Sequence, residues 1–388
     1  MPCPAWRCCA PLPGPAIPAP RHPRPLPACR PIPRFFSPEA HSRRTDPMLR
    51  IVHLVEEDTP DGIARYLDFL RQDPPMAALA RHEILPLSGL LPPGPLEAPD
   101  MIISHLPVTW AGLPRLMSLR SRHPRVPMVH VEHCYSEGYM VANPGARLRL
   151  QTLLRSAYAL FDRVVAVSAA QSDWLSRRGL VHPGCLMMIP PCTPLEALPL
   201  IRPPAGPVRR LAALGTLDRQ KGFDILIRAF RMLPNQGISL RIYGKGHQAQ
   251  PLAQLAASDP RIRFMGHLRD PFEAYSDCDA VAIPSRWDPY GLVAMEANAA
   301  GRPALLNPVD GLRAQLGRGN IAVPELSEEA WSDALRRLFD PEHPPALPDR
   351  LAAGPEETRA GWNRLIRCFL DPQGSEGSRG RLSLVSTC

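Results

Sequence analysis

From residue 48 onward, short apolar runs alternate with longer stretches of mixed polarity. The runs are LRIVHLV (49–55), HEILPL (82–87), MIISHL (101–106), PMVHVEH (127–133), RVVAVS (163–168) and CLMMIP (185–190). Between several of them lie GIARYLDFLRQ, AGLPRLMSLRSRH, RLRLQTLLRSAYALF and AQSDWLSRRGL, which carry helix-like periodicity. Buried strands alternating with helices predict parallel βαβ units. Residues 48–200 are therefore expected to form one open α/β domain. IRPPAGPVRR (201–210) reads as a Pro/Gly linker. The pattern then restarts with LAALG (211–215), LRIYG (240–244), IRFMG (262–266), AVAIP (280–284) and PALLN (303–307). Phe223, Leu226, Ile227, Phe230 and Leu233 line one helix face between the first two. A second domain is expected over 211–335, a C-terminal helical extension over 336–371 and a disordered tail over 372–388. The predicted fold class is α/β, two Rossmann-like open parallel-sheet domains facing a cleft, where ligands of such sheets bind.

Composition adjusts this picture at the termini. Residues 1–47 hold fourteen prolines and no apolar periodicity. Proline removes backbone donors and fixes φ, so this stretch is expected to be a disordered tail, or else translation starts at Met48. It lacks the uninterrupted apolar segment of a signal peptide. The formal net charge is +8, of which residues 1–47 supply +5 through seven arginines, one Glu and one Asp. The basic excess thus lies mainly outside the domains, which argues against nucleic-acid binding. No apolar run approaches the roughly 20 residues of a membrane-spanning helix. Ten scattered cysteines form no CxxC pair and no Cys/His ligand spacing, arguing against structural zinc and suiting a reducing cytoplasm. Lys221 and Lys245 are the only lysines among 45 basic residues, and both sit beside glycines.

The richest chemistry lies in PSRWDPYGLVAMEANAAGRP (284–303). A strand ends at Pro284-Ser285, and a helix is expected from Gly291 to about Ala300, with Gly301 as its left-handed cap. The amides of Gly291, Leu292 and Val293 precede the first intrahelical bond, and with the helix dipole they form an anion site suited to phosphate. The lack of a side chain at Gly291 lets a phosphate approach. Glu296 shares the face of Leu292, and its carboxylate can accept two hydroxyls, as from a ribose. Asp288 reaches a group beyond the phosphates. These two acids alone leave another reading open, in which Asp288 caps the helix and Glu296 is solvated.

This segment resembles the E-x7-E region of family 4 glycosyltransferases, retaining enzymes of the GT-B fold. Ser285, Gly291, Glu296, Ala297 and Gly301 match, while Asp288 stands in for the first glutamate. The resemblance implies that Glu296 holds the donor ribose and that Asp288 contacts the transferred sugar. LGTLDRQKGFDILIRAF (214–230) resembles the family segment whose lysine binds the donor diphosphate, here Lys221. Thr216 occupies the position of a family arginine, with Arg219 in the same loop as its substitute. In EDTPDGIARYLDFL (57–70), Gly62 lies where the family brings helix amides to a phosphate from the opposite wall, and Asp61 replaces a preceding glycine. Arg65, one turn on, reads as solvated. At the end of PMVHVEH, His133 occupies the position of a family histidine near the transferred sugar, where a neutral imidazole can bond a hydroxyl. His130 reads as buried, Glu132 as facing away from His133, and Glu137 and Tyr139 as lining the acceptor side. Asp277-Cys278-Asp279 spells DxD but precedes a buried strand, which suits a structural turn. Arg147, Arg149 and Arg155 lie on one helix, either packed along their stems or touching anionic lipid.

The expected activity is metal-independent transfer, with retention, from a nucleotide-diphosphate sugar to a saccharide or lipid-linked acceptor, in polysaccharide or glycoconjugate biosynthesis. His133, Asp288 and Lys221 are the catalytic candidates. Gly62, Thr216, Arg219, Lys221, Gly291, Leu292, Val293 and Glu296 are the donor-binding ones. No cofactor is expected. The location expected is the cytoplasm, with contact at the inner face of the membrane left open. A nucleotide-sugar epimerase and a non-catalytic nucleotide-sugar-binding module remain alternatives. A dehydrogenase does not, since no G-x-G-x-x-G follows the first strand.

Overall fold

Strands that are apolar on both faces need cover on both, and helices provide it. A computed structural model describes residues 48–89, 96, 98–234, 237–257, 259–268, 270–350 and 354–370. The expectations for residues 1–47 and 372–388 lie outside the described residues. The first half runs β1 (Arg50–Glu56), α1 (Asp61–Gln72), α2 (Pro74–Leu79), β2 (Arg81–Leu87), β3 (Met101–Ser104), α3 (Leu113–Arg122), β4 (Met128–Glu132), α4 (Glu137–Ala142), α5 (Arg147–Tyr158), β5 (Arg163–Ala166), α6 (Ala169–Arg177) and β6 (Leu186–Met188). The second half runs β7 (Arg210–Leu214), α7 (Phe223–Arg231), β8 (Ser239–Tyr243), α8 (Ala249–Ala256), β9 (Ile262–Gly266), α9 (Phe272–Ser276), β10 (Ala280–Ile283), α10 (Leu292–Ala299), β11 (Ala304–Leu306), β12 (Ile321–Ala322), α11 (Glu328–Leu338) and α12 (Glu356–Leu370).

The strands form two six-stranded parallel sheets, ordered β2-β1-β3-β4-β5-β6 and β12-β11-β10-β7-β8-β9. Chain order reverses between β1 and β3 in the first sheet and between β7 and β10 in the second. Such switch points leave a crevice at the carboxyl ends of the strands. The loops after β1, β4, β7 and β10 carry most of the candidate residues.

Three boundaries differ from the sequence reading. Residue 335 falls inside α11, which packs through Trp331, Leu335 and Leu338 into the core beneath α7, so the second domain's core continues past it. Short α2 and α4 replace expected loops, and both are capped by a side chain, Asp73 and Ser136 respectively. The C-terminal stretch is no free-standing extension. Trp362, Leu365, Ile366 and Phe369 form one apolar face of α12, and this face is buried on the first domain with residues of β1, α1 and β4. Trp362 Nε1–H donates to the Tyr66 hydroxyl at 2.9 Å, and Thr358 Oγ1 donates to the Pro190 carbonyl at 2.7 Å. A Cβ at Gly361 would come within 2.8 Å of Ile189, so the helix lies against the chain there. Cys134, Cys192, Cys278 and Cys368 are free thiols, whereas Cys185 is disulfide-bonded.

Beneath α12 a row of imidazoles crosses four strands of the first sheet. His82 Nδ1 lies 2.9 Å from His53 Nε2, His53 Nδ1 lies 2.9 Å from His105 Nε2, and His105 Nδ1 lies 2.9 Å from His133 Nε2. Trp362 packs over His53 and His82, and Tyr66 meets His105 and His133 edge-on. Burial lowers all four ring pKa values: those of His53 and His105 fall well below the ordinary value, and those of His82 and His133 fall to about 4. Glu132 opposes the shift at His133, and neighbouring histidines reinforce it.

Two outcomes follow. Trp362→Ala empties a fully buried site and leaves the Tyr66 hydroxyl without its donor. It is expected to destabilise the first domain by about 3–5 kcal/mol in denaturant unfolding; a loss below about 1 kcal/mol would show that α12 is not part of that core. The second concerns pH. Between about pH 6.5 and 4 the unfolded chain's histidines bind protons that the folded row refuses. The unfolded state then holds more protons, so stability falls as pH drops through this window. Calorimetric Tm values are expected to fall toward pH 4.5 in the native chain and less steeply in His82→Phe; equal slopes would contradict the burial of neutral rings.

Candidate active site

The loops after β7 and β10 are tied to each other. The Arg286 amide donates to the Gln220 carbonyl at 2.7 Å, and Gln220 Nε2 donates to the Trp287 carbonyl at 3.1 Å. Asp218 caps the single turn Arg219–Lys221, and Gly222 follows at φ 67°. A Cβ at Gly222 would lie 2.0 Å from the Pro284 carbonyl oxygen, so only glycine lets the two loops meet this closely. The Lys221 stem lies over Gly215, and its ammonium reaches Asp288 Oδ2 at 2.9 Å. Ser285 Oγ donates to the same oxygen at 3.4 Å. Lys221 and Asp288, given separate sugar and diphosphate duties in the sequence reading, are thus direct partners.

Helix α10 begins beside this pair. Its first backbone bonds run from Ala294 and Met295 to the Gly291 carbonyl, so the amides of Gly291, Leu292 and Val293 stand ahead of the ladder. No side chain caps this end. Gly301 at φ 70° and the Arg302 amide, donating to the Ala297 carbonyl at 2.8 Å, close the other end. The reason for glycine at 291 differs from the expectation of phosphate approach. Its φ is 93°, and a Cβ would lie 2.4 Å from Leu312, so backbone shape and packing demand it. Gly62, near the start of α1, faces Leu292 of α10, where a Cβ would lie 3.2 Å from the leucine. The opposite wall is therefore brought directly onto this helix tip.

Glu296 is neither solvated nor open. It is 1% exposed and accepts from Arg65 Nη2 at 2.9 and 3.2 Å, Thr193 Oγ1 at 2.9 Å and the Tyr275 hydroxyl at 2.9 Å. A carboxylate has about four acceptor sites, and all are filled. Arg65, read from sequence as solvated, is an interdomain ion-pair partner. Burial works against its charge, but Glu296 and Tyr275 more than offset this and raise its pKa. Burial, reinforced by Glu296, holds the Tyr275 phenol well above its ordinary value.

A second clasp closes the domains near Asp288. Asp310 accepts from Ser136 Oγ at 2.7 Å and the Gly138 amide at 2.9 Å, both in the first domain, and from the Asp288 amide at 3.2 Å. It adopts φ 42°, a left-handed conformation uncommon outside glycine. Its pKa is raised by burial, with nearby Asp288 adding to the effect against these three donors. A Cβ at Gly138 would lie 2.5 Å from Asp310, so glycine permits the approach. Tyr139 packs edge-on to Trp287 across the same seam. Glu137 instead pairs with Arg177 and Arg178 at the surface, away from an acceptor role.

The remaining candidates are placed as follows. Thr216 is exposed in the β7 loop. Arg219, read as a substitute for the missing family arginine, extends to Asn143 and the Ala142 carbonyl of the first domain, each at 3.3 Å. Asp61 meets His267, the residue that follows β9, across the domains at 3.3 Å. His133 stands half-buried after β4 as the last ring of the histidine row. Glu132 turns the other way, accepting from the Cys134 and Tyr135 amides and the Tyr158 hydroxyl, with His130 beside it. Asp277 and Asp279 are ion-paired with Arg210, and Asp277 also with Arg241. Leu150, Leu153 and Leu154 pack α5 inward, while Arg155 bonds the Gly179 and Arg178 carbonyls. Sequence reasoning missed Thr193, Tyr275, Ser136 and Asp310, none of which stands in a motif. The Asp-Gly pair at 310–311 was a legible turn signal, but nothing in it indicated a reach across domains.

Residues 208–340 match the family described as Glycosyl transferases group 1, and residues 18–197 match Glycosyltransferase Family 4. A glycogen synthase of Thermus thermophilus is 33% identical over 146 residues, covering 36% of this chain and 32% of that protein. The chain thus spans about a third of the length of that relative. The D-inositol 3-phosphate glycosyltransferase of Saccharomonospora viridis is 29% identical over 280 residues, 63% of this chain and 64% of the other. In structure, the chain is similar to sucrose-phosphate synthase from Thermosynechococcus elongatus, with TM-score 0.61 at 19% identity over 85% of this chain and 98% of that one. It is also similar to Anabaena HepE, solved with UDP and glucose, with TM-score 0.58 at 15% identity over 86% and 100%. Two six-stranded parallel sheets, with a family match on each half, give this chain a Glycosyltransferase Family 4 domain followed by a Glycosyl transferases group 1 domain, in the GT-B fold.

Proposed function

We propose that this chain transfers a hexosyl group, with retention, from a nucleotide-diphosphate sugar to a saccharide or lipid-linked acceptor in polysaccharide or glycoconjugate biosynthesis. The observation that carries the reading is the uncapped tip of α10 next to the Lys221–Asp288 pair, facing Gly62 across the domain seam. A diphosphate seated there meets the amides of residues 291–293 and the Lys221 ammonium. HepE, of similar fold, is a protein solved with UDP and glucose, which supports a nucleotide-sugar donor.

In the transfer, the bond from the sugar's anomeric carbon to the diphosphate oxygen breaks, and its electron pair stays on the diphosphate. The acceptor hydroxyl oxygen bonds the same carbon from the same face. Its proton passes to the departing phosphate oxygen, giving a glycoside and a nucleoside diphosphate. Lys221 and the helix amides stabilise the negative charge that grows on the leaving group, so protein groups supply this task without a metal ion. Asp288 holds Lys221 in place and lies beside the transferred sugar. His133, kept neutral by burial, bonds a sugar hydroxyl. Glu296 takes the ribose once Arg65 or Thr193 has let go of it. Domain closure excludes water, which otherwise competes as acceptor.

No described helix is long and apolar enough to cross a membrane. Arg147, Leu148 and Arg149 lie outward on α5, with Leu148 79% exposed, a surface suited to anionic lipid beside a lipid-linked acceptor. The proposed location is the cytoplasm or the inner membrane face, and the exposed α5 surface supports the second of these.

Calorimetry with UDP-, GDP- and dTDP-sugars, followed by product analysis on saccharide acceptors, tests the reading. One donor class is expected to bind, and transfer is expected to release one nucleoside diphosphate per glycoside. Lys221→Ala is expected to weaken diphosphate binding by about 10- to 100-fold, the loss of one charge-assisted contact. Binding without transfer to any acceptor would favour a binding module; no binding by any donor would overturn the proposal.

A further inference from the structure

The histidine row has a property that follows from counting protons. A neutral imidazole carries one N–H and one bare nitrogen. Both nitrogens of His53 and His105, and one each of His82 and His133, are engaged in three N···N contacts at 2.9 Å. Each contact needs one proton. Four neutral rings bring four, so three sit in the contacts and one is left at an end. Only two arrangements satisfy every contact. In one, each ring carries its proton on Nε2, and His133 Nδ1 is a bare lone pair. In the other, each ring carries it on Nδ1, and His133 Nδ1 is a donor. A single reversed ring would set two N–H groups, or two lone pairs, against each other in a buried place. The rings therefore switch together or not at all.

What lies at the far end selects the arrangement. His82 Nε2 is buried and has no hydrogen bond of good geometry. His82 Nδ1 is taken by His53 at 2.9 Å, so the Met76 carbonyl, the backbone acceptor that acts on this ring, has only Nε2 left to it and favours a proton there. Trp362 covers the ring edge-on and supplies no donor to it, because its N–H is committed to Tyr66. A bare lone pair at His82 Nε2 would face this carbonyl unpaired, while an N–H there is drawn toward it. His53 then donates to His82, His105 to His53 and His133 to His105.

We propose that His82, His53 and His105 are positioning residues that hold His133 in the Nε2–H tautomer. Its Nδ1 is then an acceptor for a substrate hydroxyl. Among the described residues, none hydrogen-bonds this Nδ1. The inference deepens the proposed transferase, since the hydroxyl belongs to that reading, but the tautomer itself does not depend on it. A ring fixed as acceptor orients a sugar hydroxyl's hydrogen toward itself and rejects a group that can only accept. It also spares the site a mixed tautomer population, which would leave a fraction of molecules with a donor in the wrong place.

The test uses the full chain labelled with ¹⁵N-histidine, with tautomers read at pH 7 from long-range ¹H–¹⁵N correlations. In the native chain, His133 is expected to carry its proton on Nε2. His53→Phe, which cuts the row one ring before His105, is expected to give a mixture of both tautomers at His133. His53→Gln keeps an acceptor for His105 and a donor for His82, and is expected to restore the native signature. A proton on Nδ1 of His133 in the native chain overturns the proposal by itself, even if no variant folds. An unchanged His133 signature in folded His53→Phe also overturns it, since a merely structural ring would have no reach to His133. Failure of the transferase reading shows up separately, as no donor binding or no transfer by the native chain, and leaves these spectra untouched.

Discussion

A buried carboxylate at the centre of the seam ties the two halves of this molecule together. Glu296 sits in α10 of the second domain and is held by Arg65 and Thr193 from the first. In a low-dielectric seam an unpaired carboxylate is strongly unfavourable, so the domains cannot separate unless Glu296 gains water or another partner. The donor's ribose is the partner proposed here. In that proposal, opening the seam costs the contact with Arg65, and two ribose hydroxyls would replace donors that come from the first domain. Tyr275, in the same domain as Glu296, stays in place through such an exchange and keeps the carboxylate oriented. The Lys221–Asp288 pair follows the same logic on a smaller scale, each charge holding the other until a diphosphate competes for the ammonium.

The seam is fixed at several other points, and at two of them a glycine of the first domain lets a side chain of the second come close to its backbone. Gly138 admits Asp310, and Gly62 admits Leu292. Helix α12 adds a third tie, because it leaves the second domain and covers the first sheet. That cover also dries the histidine row, so the C-terminal helix and the ring at the end of β4 share one buried environment. A change in how α12 sits would reach His133 through the imidazoles rather than through the backbone.

Much of the fold was legible in the sequence, for a physical reason. Parallel strands buried on both faces give continuous apolar runs, and the helices between them have clear apolar stripes, as in Phe223 to Phe230. The tip of α10 was legible too, since Gly291 and Gly301 mark the helix ends. What escaped were contacts between residues far apart in the chain. Arg65 stands one turn into an amphipathic helix, where solvent is the ordinary neighbour; its partner lies 231 positions away. Gly291 was assigned to ligand approach, but its φ and Leu312 account for it. The histidines at 53, 82, 105 and 133 each sit at or near a strand's apolar run, and nothing in any one run shows that parallel register would bring the four rings into line. Pairwise distance across a sheet is set by strand order, and strand order was not readable.

The most direct measurement is a crystal structure of the chain with a bound nucleotide-diphosphate sugar. The account predicts ribose hydroxyls within hydrogen-bond distance of Glu296, with Arg65 or Thr193 withdrawn from it, and the diphosphate against the amides of 291–293. A donor seated elsewhere, or a Glu296 still holding all of its present partners beside a bound donor, would contradict it.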